Sequence, residues 1–272
     1  MRPAAWLLAP VVTLVLGAVP HASLQTASPP SGAKTWIGRH AEFEELIRTA
    51  TTAGPQEKIS VGVTGPRKVA LTGGGPIEAV AWKPIRPGWY PSGFYESYKA
   101  EIAAYEIDKL IRLDMVPPTV ERRIGGEVGA AVMWVRNVTT FTELGQTIQA
   151  PRDQASRWNL QLVRAMMYDN LIGNLDPNLG NWLKDDDWNL ILIDHSRSLT
   201  SNRDLYHQMN QIDGDLWDRM KTLDEPMLTA TLGQWMGKSE IRAVLQRRER
   251  MQQAIDRLIK DRSAASVVIR EP

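Results

Sequence analysis

Cysteine is absent from the 272 residues of this chain. The absence excludes a disulfide framework, a thiolate nucleophile, a cysteine-based metal site and a lipid anchor on an N-terminal cysteine. The chain also lacks a long run of lysine and arginine, and its formal net charge is only +1. We therefore expect neither a polyanion-binding surface nor a nucleic-acid partner. With 43% hydrophobic residues, the chain can bury one large core or two modest lobes.

The N-terminal segment Met1–Ala22 has the form of an export signal, with Arg2 before the apolar run Trp6–Val19. Cleavage is plausible after any of three small residues: Ala18, Ala22 or Ala27. The apolar run is short for a permanent membrane span, and an uncleaved anchor is the alternative. We expect a periplasmic or secreted protein in which residues 23–40 form a linker rich in serine and proline.

The stretch 174–200 carries the clearest chemical pattern. Asp176 is followed five positions later by Asn181, and Asp194 closes the apolar run Leu190–Ile193. The polar residues 184–187 separate two strand-like runs, so a short hairpin is predicted with these three side chains at its ends. Such a set can hold Mg²⁺ against a triphosphate while the first aspartate orients an attacking hydroxyl. The alternative is an ordinary hairpin whose acidic residues are merely solvated.

The spacing of these residues resembles the catalytic loop and metal-binding aspartate of protein kinases. The protein-kinase His-Arg pair is absent, and His195-Ser196 follows Asp194 in place of Phe-Gly. The stretches GNLDPNLGN and LIDHSRSL are more similar to atypical kinases. That group includes phosphatidylinositol 3-/4-kinases, HipA-type bacterial kinases and secretory-pathway kinases of the Golgi casein kinase type. The resemblance implies an α+β, two-lobed protein-kinase-like fold, with a small β-rich N-lobe at 41–138 and a larger helical C-lobe at 139–262.

The expected N-lobe begins with a short helix over Trp36–Ala50, and alternating apolar residues then predict strands at 59–63, 69–71 and 77–83. The last run ends as AVAWK, close to the Val-Ala-x-Lys strand of kinases, so the resemblance implies that Lys83 grips the α- and β-phosphates of ATP. The turn that contains Gly62 and Val63 is the expected backbone contact with phosphates. No G-x-G-x-x-G is present, and Gly73–Gly75 is interpreted as an ordinary hairpin turn.

A helix is predicted over Gly93–Leu113. A kinase needs a carboxylate on this helix to hold the strand lysine over the phosphates. Three glutamates are candidates, of which at least one should be exposed: Glu96, Glu101 and Glu106. Glu101 is preferred because it lies between Tyr98 and Tyr105 on an inward-facing stripe.

The segment Met133–Val138 is expected to join the lobes, with the backbone of Met133 and Val135 placed to hydrogen-bond adenine. Further helices are predicted over 153–171, 205–223 and 226–236, and from a Ser239 cap to about residue 259. The cluster Arg247, Arg248 and Arg250 is interpreted as a solvated face, with an acidic partner as the alternative. Residues 263–272 are expected to be a disordered tail.

The resemblance thus implies an exported atypical kinase that transfers the γ-phosphoryl group of ATP to a hydroxyl of a protein, glycan or lipid. Glu101 would position Lys83, Asp176 would orient the acceptor, and Asn181 and Asp194 would bind Mg²⁺ or Mn²⁺.

One departure from the family matters for this hypothesis. Pro177-Asn178 stands where HipA-type and lipid kinases carry basic residues, so the resemblance leaves open which group would neutralise charge at the transferred phosphate. The alternative function is a non-catalytic, nucleotide-binding pseudokinase that acts as an interaction module. The sequence identifies neither the acceptor nor the oligomeric state.

Overall fold

The computed structural model describes residues 33–59, 65–73, 75–145 and 148–270. The predicted export signal at 1–22 and the expected phosphate contacts Gly62 and Val63 lie outside the described residues. The elements of the N-terminal part are α1 (His40–Thr49), β1 (Thr51–Lys58), β2 (Arg67–Thr72), β3 (Ala79–Lys83), β4 (Gly88–Trp89), β5 (Tyr95–Glu96), α2 (Tyr98–Leu110), β6 (Thr119–Ile124) and β7 (Glu127–Met133).

The C-terminal part is mainly helical and carries a short sheet. Its elements are β8 (Val138–Thr140), α3 (Phe141–Leu144), α4 (Ala155–Ile172), a 3-10 turn (Leu179–Asn181), β9 (Trp182–Asp185), β10 (Leu190–Leu192), β11 (Ile212–Asp213), α5 (Gly214–Lys221), α6 (Glu225–Leu232), α7 (Lys238–Arg262), α8 (Ala264–Val267) and β12 (Val268–Ile269).

Five antiparallel strands form the N-lobe sheet in the order β1-β2-β3-β7-β6. Strand β3 is central, so its AVAWK sequence is almost entirely buried. At Gly129 on β7, an added Cβ would lie 2.6 Å from the carbonyl oxygen of Lys83. Glycine therefore allows β7 to approach the end of β3 closely, which fixes the backbone position of Lys83.

The N-lobe core includes Trp36, Phe43 and Trp82, each fully buried. Trp36 lies within the predicted linker, so the C-terminal end of that segment is packed. The first strand is also displaced from its predicted position, because β1 ends at Lys58, before the alternating residues that begin at Ile59. Its sequence TTAGPQEK is polar and mostly exposed, as suits an edge strand, and carries no alternating apolar signal.

Helix α2 begins five residues later than predicted. The Ser97 side chain accepts a hydrogen bond from Lys99 N at 3.1 Å and caps the helix. The residues before it form the β4–β5 hairpin, whose turn includes Gly93 at a φ of +82°. This local turn and cap prevail over the helical spacing of the apolar residues.

The predicted helix at 205–223 is also wrong in its first half, since α5 begins only at Gly214. The Asn170 side chain accepts hydrogen bonds from the backbone N–H groups of Tyr206 and His207, both at 2.8 Å. These bonds hold the preceding segment in a non-helical path. Asp213 then caps α5 by accepting from Leu216 N at 2.8 Å.

Helix α7 starts at Lys238 with Gly237 as its cap, so the predicted Ser239 cap is wrong. Arg247 on this helix is fully buried, which corrects the interpretation of its cluster as a solvated face. The predicted disordered tail is ordered over residues 264–270, because β12 pairs in parallel with β11 and Arg270 bonds to Asp218 at 2.7 Å. In the described part of the chain, no helix is long and apolar enough to cross a membrane.

Candidate functional site

Lys83 and Glu101 meet in the interior between β3 and α2. The ammonium Nζ of Lys83 donates to Oε1 of Glu101 at 2.6 Å, and both side chains are almost fully buried. The cap at Ser97 places Glu101 in the first turn of α2, facing the end of β3. Glu101 is thus the glutamate that pairs with Lys83. The expectation of an exposed glutamate among the three is wrong, because Glu96 is buried and Glu106 is partly buried against Lys109.

Asp194 approaches the same lysine from the C-lobe. It follows the apolar strand β10 and adopts a left-handed φ of +63°, a conformation that aspartate tolerates better than most residues. Its Oδ1 accepts a second hydrogen bond from Lys83 Nζ at 2.8 Å. The backbone N–H of His195 donates to Oε2 of Glu101 at 3.1 Å, which ties the segment after β10 to α2.

The loop with Asp176 and Asn181 follows α4, which ends in a left-handed residue, Gly173. Side chains of the loop hold its backbone: Asn174 Oδ1 accepts from Asp176 N at 3.1 Å, and Asn178 Oδ1 accepts from Gly180 N at 2.8 Å. Asn181 Nδ2 donates to Asp176 O at 3.2 Å. The backbone N–H of Ile193 donates to Asn181 O at 3.0 Å, so the loop and the strand before Asp194 are directly joined.

The sequence reasoning missed one site residue, Arg197, and considered another, Glu96, for a different partner. Arg197 donates from Nη1 to Asp176 Oδ2 at 2.8 Å and from Nη2 to Glu96 Oε1 at 2.9 Å. Glu96, considered above as a partner of Lys83, instead bonds to this arginine. Arg197 supplies the cation beside Asp176 that Pro177-Asn178 does not. The one available signal was its position three residues after Asp194.

The charged groups around Lys83 shift the pKa values of one another. Burial by itself would lower the pKa of Lys83, but the carboxylates of Asp194 and Glu101 outweigh it and raise this pKa. Burial raises the pKa of Glu101. For Asp194, burial is outweighed by the Lys83 ammonium, and the pKa is lowered. Burial also lowers the pKa of His195 to about 4, so its ring is neutral at pH 7.

Asn181 and Asp194 offer an amide oxygen and a carboxylate, which are hard oxygen ligands suited to Mg²⁺ or Mn²⁺. Among the described residues, no cluster of three or more His, Cys, Asp or Glu side chains could hold a metal ion.

The segment Met133–Val138, expected to bind adenine through its backbone, already uses part of that backbone for bonds within the protein. Met133 ends β7 and donates its N–H to Pro118 O at 2.8 Å, while Trp134 donates to Ala79 O at 3.0 Å. These two N–H groups are already engaged by the protein. Val135 follows them and is buried with the N-lobe core.

A cavity of about 770 Å³ lies beside the Asp176 loop. Its lining includes Leu175, the neighbour of Asp176, and the segment Ser198–Asn202 that follows Arg197. Aromatic side chains line it from both lobes: Trp89, Phe94, Tyr95 and Trp235. Lys83, Glu101 and Asp194 are not among its lining residues.

No protein-family model matches the chain, and no curated protein matches it in sequence. Solved structures do match. A hydra Fam20 protein, solved with a sugar, aligns with a TM-score of 0.65 and 18% identity over 84% of this chain and 91% of that chain. The Golgi casein kinase, solved with Mn and ADP bound, aligns with a TM-score of 0.63 and 14% identity over 85% of this chain and 78% of that chain.

A bacterial structure extends the comparison. The proinflammatory kinase CtkA of Helicobacter pylori aligns with a TM-score of 0.50 and 11% identity over 79% of this chain and 98% of that chain. At these identities the likeness concerns the fold, which confirms the two-lobed α+β architecture expected from the sequence. The chain has an atypical kinase-like fold.

Proposed function

We propose that this chain is an ATP-dependent phosphotransferase that acts on a hydroxyl acceptor. The observation that carries the proposal is the buried Lys83, held between Glu101 at 2.6 Å and Asp194 at 2.8 Å. Lysine is costly to bury without a charge to bind, and two carboxylates fix its ammonium where a phosphate chain could accept from it. The Golgi casein kinase neighbour, solved with Mn and ADP, is consistent with a nucleotide and a divalent cation as ligands.

Each residue has a distinct proposed role. Lys83 binds the α- and β-phosphates, and Glu101 holds Lys83 in place. Asn181 and Asp194 would hold Mg²⁺ or Mn²⁺, which would neutralise charge on the phosphates. Asp176 orients the acceptor hydroxyl and takes its proton as the hydroxyl oxygen bonds to the γ-phosphorus. The bond between that phosphorus and the oxygen of the β-phosphate breaks, and ADP leaves. Adenine would bind near Met133 and Val135, where the Met133 N–H is already bonded to Pro118 O and only the carbonyl group of that residue could serve. Gly62 and Val63, proposed from the sequence as phosphate contacts, lie outside the described residues.

The aromatic cavity beside the Asp176 loop is the proposed entrance for the acceptor, because Leu175, the neighbour of Asp176, lines it. Its aromatic faces and hydroxyl groups suit a ligand with both apolar and polar surface. The acceptors to compare are sugars, peptides containing serine, and lipid head groups. The sugars are included because the hydra Fam20 protein was solved with a sugar.

Thermal-shift titration with Mg-ATP, Mg-ADP and AMP, followed by transfer assays with labelled ATP, tests this function. The wild type should bind Mg-ATP and transfer phosphate to at least one acceptor class or to water. Lys83→Met should weaken nucleotide binding, whereas Lys260→Met, an exposed substitution far along α7, should not. Binding without turnover for any acceptor would favour the pseudokinase instead, and absence of binding would contradict both.

We also propose that the chain is exported, on the basis of Arg2 and the apolar run Trp6–Val19. Mass spectrometry of the protein from its native cell should find a mature N-terminus near Ser23 outside the cytoplasm. An intact Met1 on a cytoplasmic protein would contradict export, and an intact Met1 in the membrane fraction would identify an anchor.

A further inference from the structure

We propose that Glu96 and Arg197 form a positioning pair that fixes the carboxylate of Asp176 for the acceptor hydroxyl. This inference rests on the proposed phosphotransferase function and adds two residues to it. Glu96 positions Asp176 indirectly, because it contacts Arg197 and Arg197 contacts Asp176.

The geometry of Arg197 is that of a bridge. Nε and Nη2 both donate to Glu96 Oε1, at 3.1 and 2.9 Å, and Nη1 donates to Asp176 Oδ2 at 2.8 Å. The guanidinium carbon lies 4.5 Å from the ring centroid of Phe94, so the plane is also supported by an aromatic ring. Glu96 thus holds the Nε and Nη2 groups of the guanidinium, and its Nη1 group is directed at Asp176.

Glu96 is built for this task rather than for stability. Its side chain is only 1% exposed, and its Oε2 is buried without a hydrogen-bond partner. A buried carboxylate with an unused acceptor is costly to retain. The cost is understandable if the negative charge is needed to hold Arg197 in one orientation.

The existing contacts of Arg197 are those of a positioning group. Its guanidinium lies between two carboxylates, those of Glu96 and Asp176. Each of its three nitrogens already donates to one of these carboxylates, so the arginine fixes Asp176 relative to Glu96.

The pair also connects Asp176 to α2. Glu96 directly precedes the cap residue Ser97, whose N–H donates to Ser196 O at 2.9 Å. One turn later, Glu101 holds Lys83. A single short segment therefore anchors the acceptor-orienting aspartate and the phosphate-binding lysine, and displacement of this segment would loosen both.

Phosphate release from Mg-ATP, measured together with thermal unfolding, tests the pair in the full chain. Glu96→Gln keeps the shape and removes the charge, and Arg197→Ala removes the bridge. Because misplacement of a reacting group by about 1 Å can cost roughly 100-fold, we expect each variant to lower kcat by about 10- to 100-fold. The KM for ATP should stay within about twofold, since neither residue contacts Lys83 or Asp194.

The double variant, a conservative variant and a matched control complete the test. Glu96→Gln/Arg197→Ala should be no slower than Arg197→Ala alone, because Glu96 acts only through the arginine. Arg197→Lys should restore part of kcat. Glu225→Gln, which removes one charge of an exposed Glu–Arg pair between α6 and α7, should leave kcat unchanged.

Wild-type kcat in both single variants, even with lowered unfolding temperatures, would show a merely structural role and overturn the inference. A raised KM for ATP with retained kcat would overturn it in favour of phosphate binding by Arg197. No turnover by the wild type would contradict the proposed function itself, and this inference with it.

Discussion

Lys83 and Asp194 are 111 residues apart in the sequence, yet Lys83 Nζ lies 2.8 Å from Asp194 Oδ1. The contact joins the central strand of the N-lobe sheet to the strand end of the C-lobe hairpin. Because the carboxylates of Asp194 and Glu101 both contact this ammonium, they raise the pKa of Lys83 despite its burial. In the proposed function this ammonium binds the nucleotide phosphates, and the Asp194 carboxylate faces the metal ion.

The first prediction concerns the metal. Since Asn181 and Asp194 present hard oxygen ligands, binding of ATP should require Mg²⁺ or Mn²⁺ and should not be supported by Zn²⁺. Calorimetric titration of ATP with each cation, and with chelator alone, measures this dependence. Equal affinity with and without chelator would count against the metal site.

The second prediction separates chemistry from binding. Asp176→Asn should lower turnover by roughly two to four orders of magnitude, because a positioned base is lost, and leave the affinity for Mg-ATP nearly unchanged. Asp194→Asn should weaken nucleotide binding itself, because a carboxylate facing the metal is lost. Phosphate release and nucleotide titration on both variants form the test, and wild-type turnover by Asp176→Asn would refute its assigned role.

Residues that belong to a local pattern were predictable from the sequence. Lys83 ends a recognisable strand, Asp194 ends an apolar run, and Asn181 follows Asp176 by five residues. The resemblance of these patterns to those of kinases predicted that the four residues share a site. The pairing of Lys83 with Glu101 also followed, since the helix places that side chain inward.

The remainder depended on contacts between distant segments. Arg197 bonds to Asp176 and Glu96 across the two lobes, and no periodicity marks such a bridge. The tail 264–270 packs because β11 offers a strand edge with which β12 pairs. Helix α2 was predicted too long because helical spacing continued into residues that a hairpin and a serine cap exclude. Local chemistry identified the site, and tertiary contacts set its boundaries.

The third prediction concerns Arg247, whose charge is buried in the C-lobe. Its Nε donates to Leu171 O at 2.9 Å, and Nη1 bonds to the carbonyl of Asn202. Burial lowers the pKa of Arg247 to about 10, so it remains a cation. Arg247→Met would leave these carbonyls without a donor and should destabilise the protein by about 2–5 kcal/mol.

Urea unfolding measures this loss. The matched control is Arg250→Met on the same helix, where the arginine is half exposed and pairs with Asp204. That surface pair should contribute no more than about 1 kcal/mol. Similar destabilisation by the two variants would contradict the structural role assigned to Arg247.

The last prediction concerns Asp108, a buried carboxyl group at the end of α2. Its Oδ1 accepts from the N–H groups of Met115 and Val116 at 2.9 and 3.1 Å, while Oδ2 is buried without a partner. Burial raises the pKa of Asp108 from 3.8 to about 7; the two N–H bonds and Lys34 oppose this rise, and Asp114 adds to it.

Between about pH 4 and pH 7 the folded protein therefore retains a proton that the unfolded chain releases. The contribution of Asp108 to stability is complete below its unfolded pKa and is lost as the pH rises through its folded pKa, with a slope of at most about 1.4 kcal/mol per pH unit. Asp108→Asn keeps the acceptor for both N–H groups and cannot titrate, so its stability should decline less over this range. Urea unfolding at half-unit steps compares it with the wild type and with Asp261→Asn, an exposed control. A wild-type slope in Asp108→Asn would show that this carboxyl group does not hold the proton.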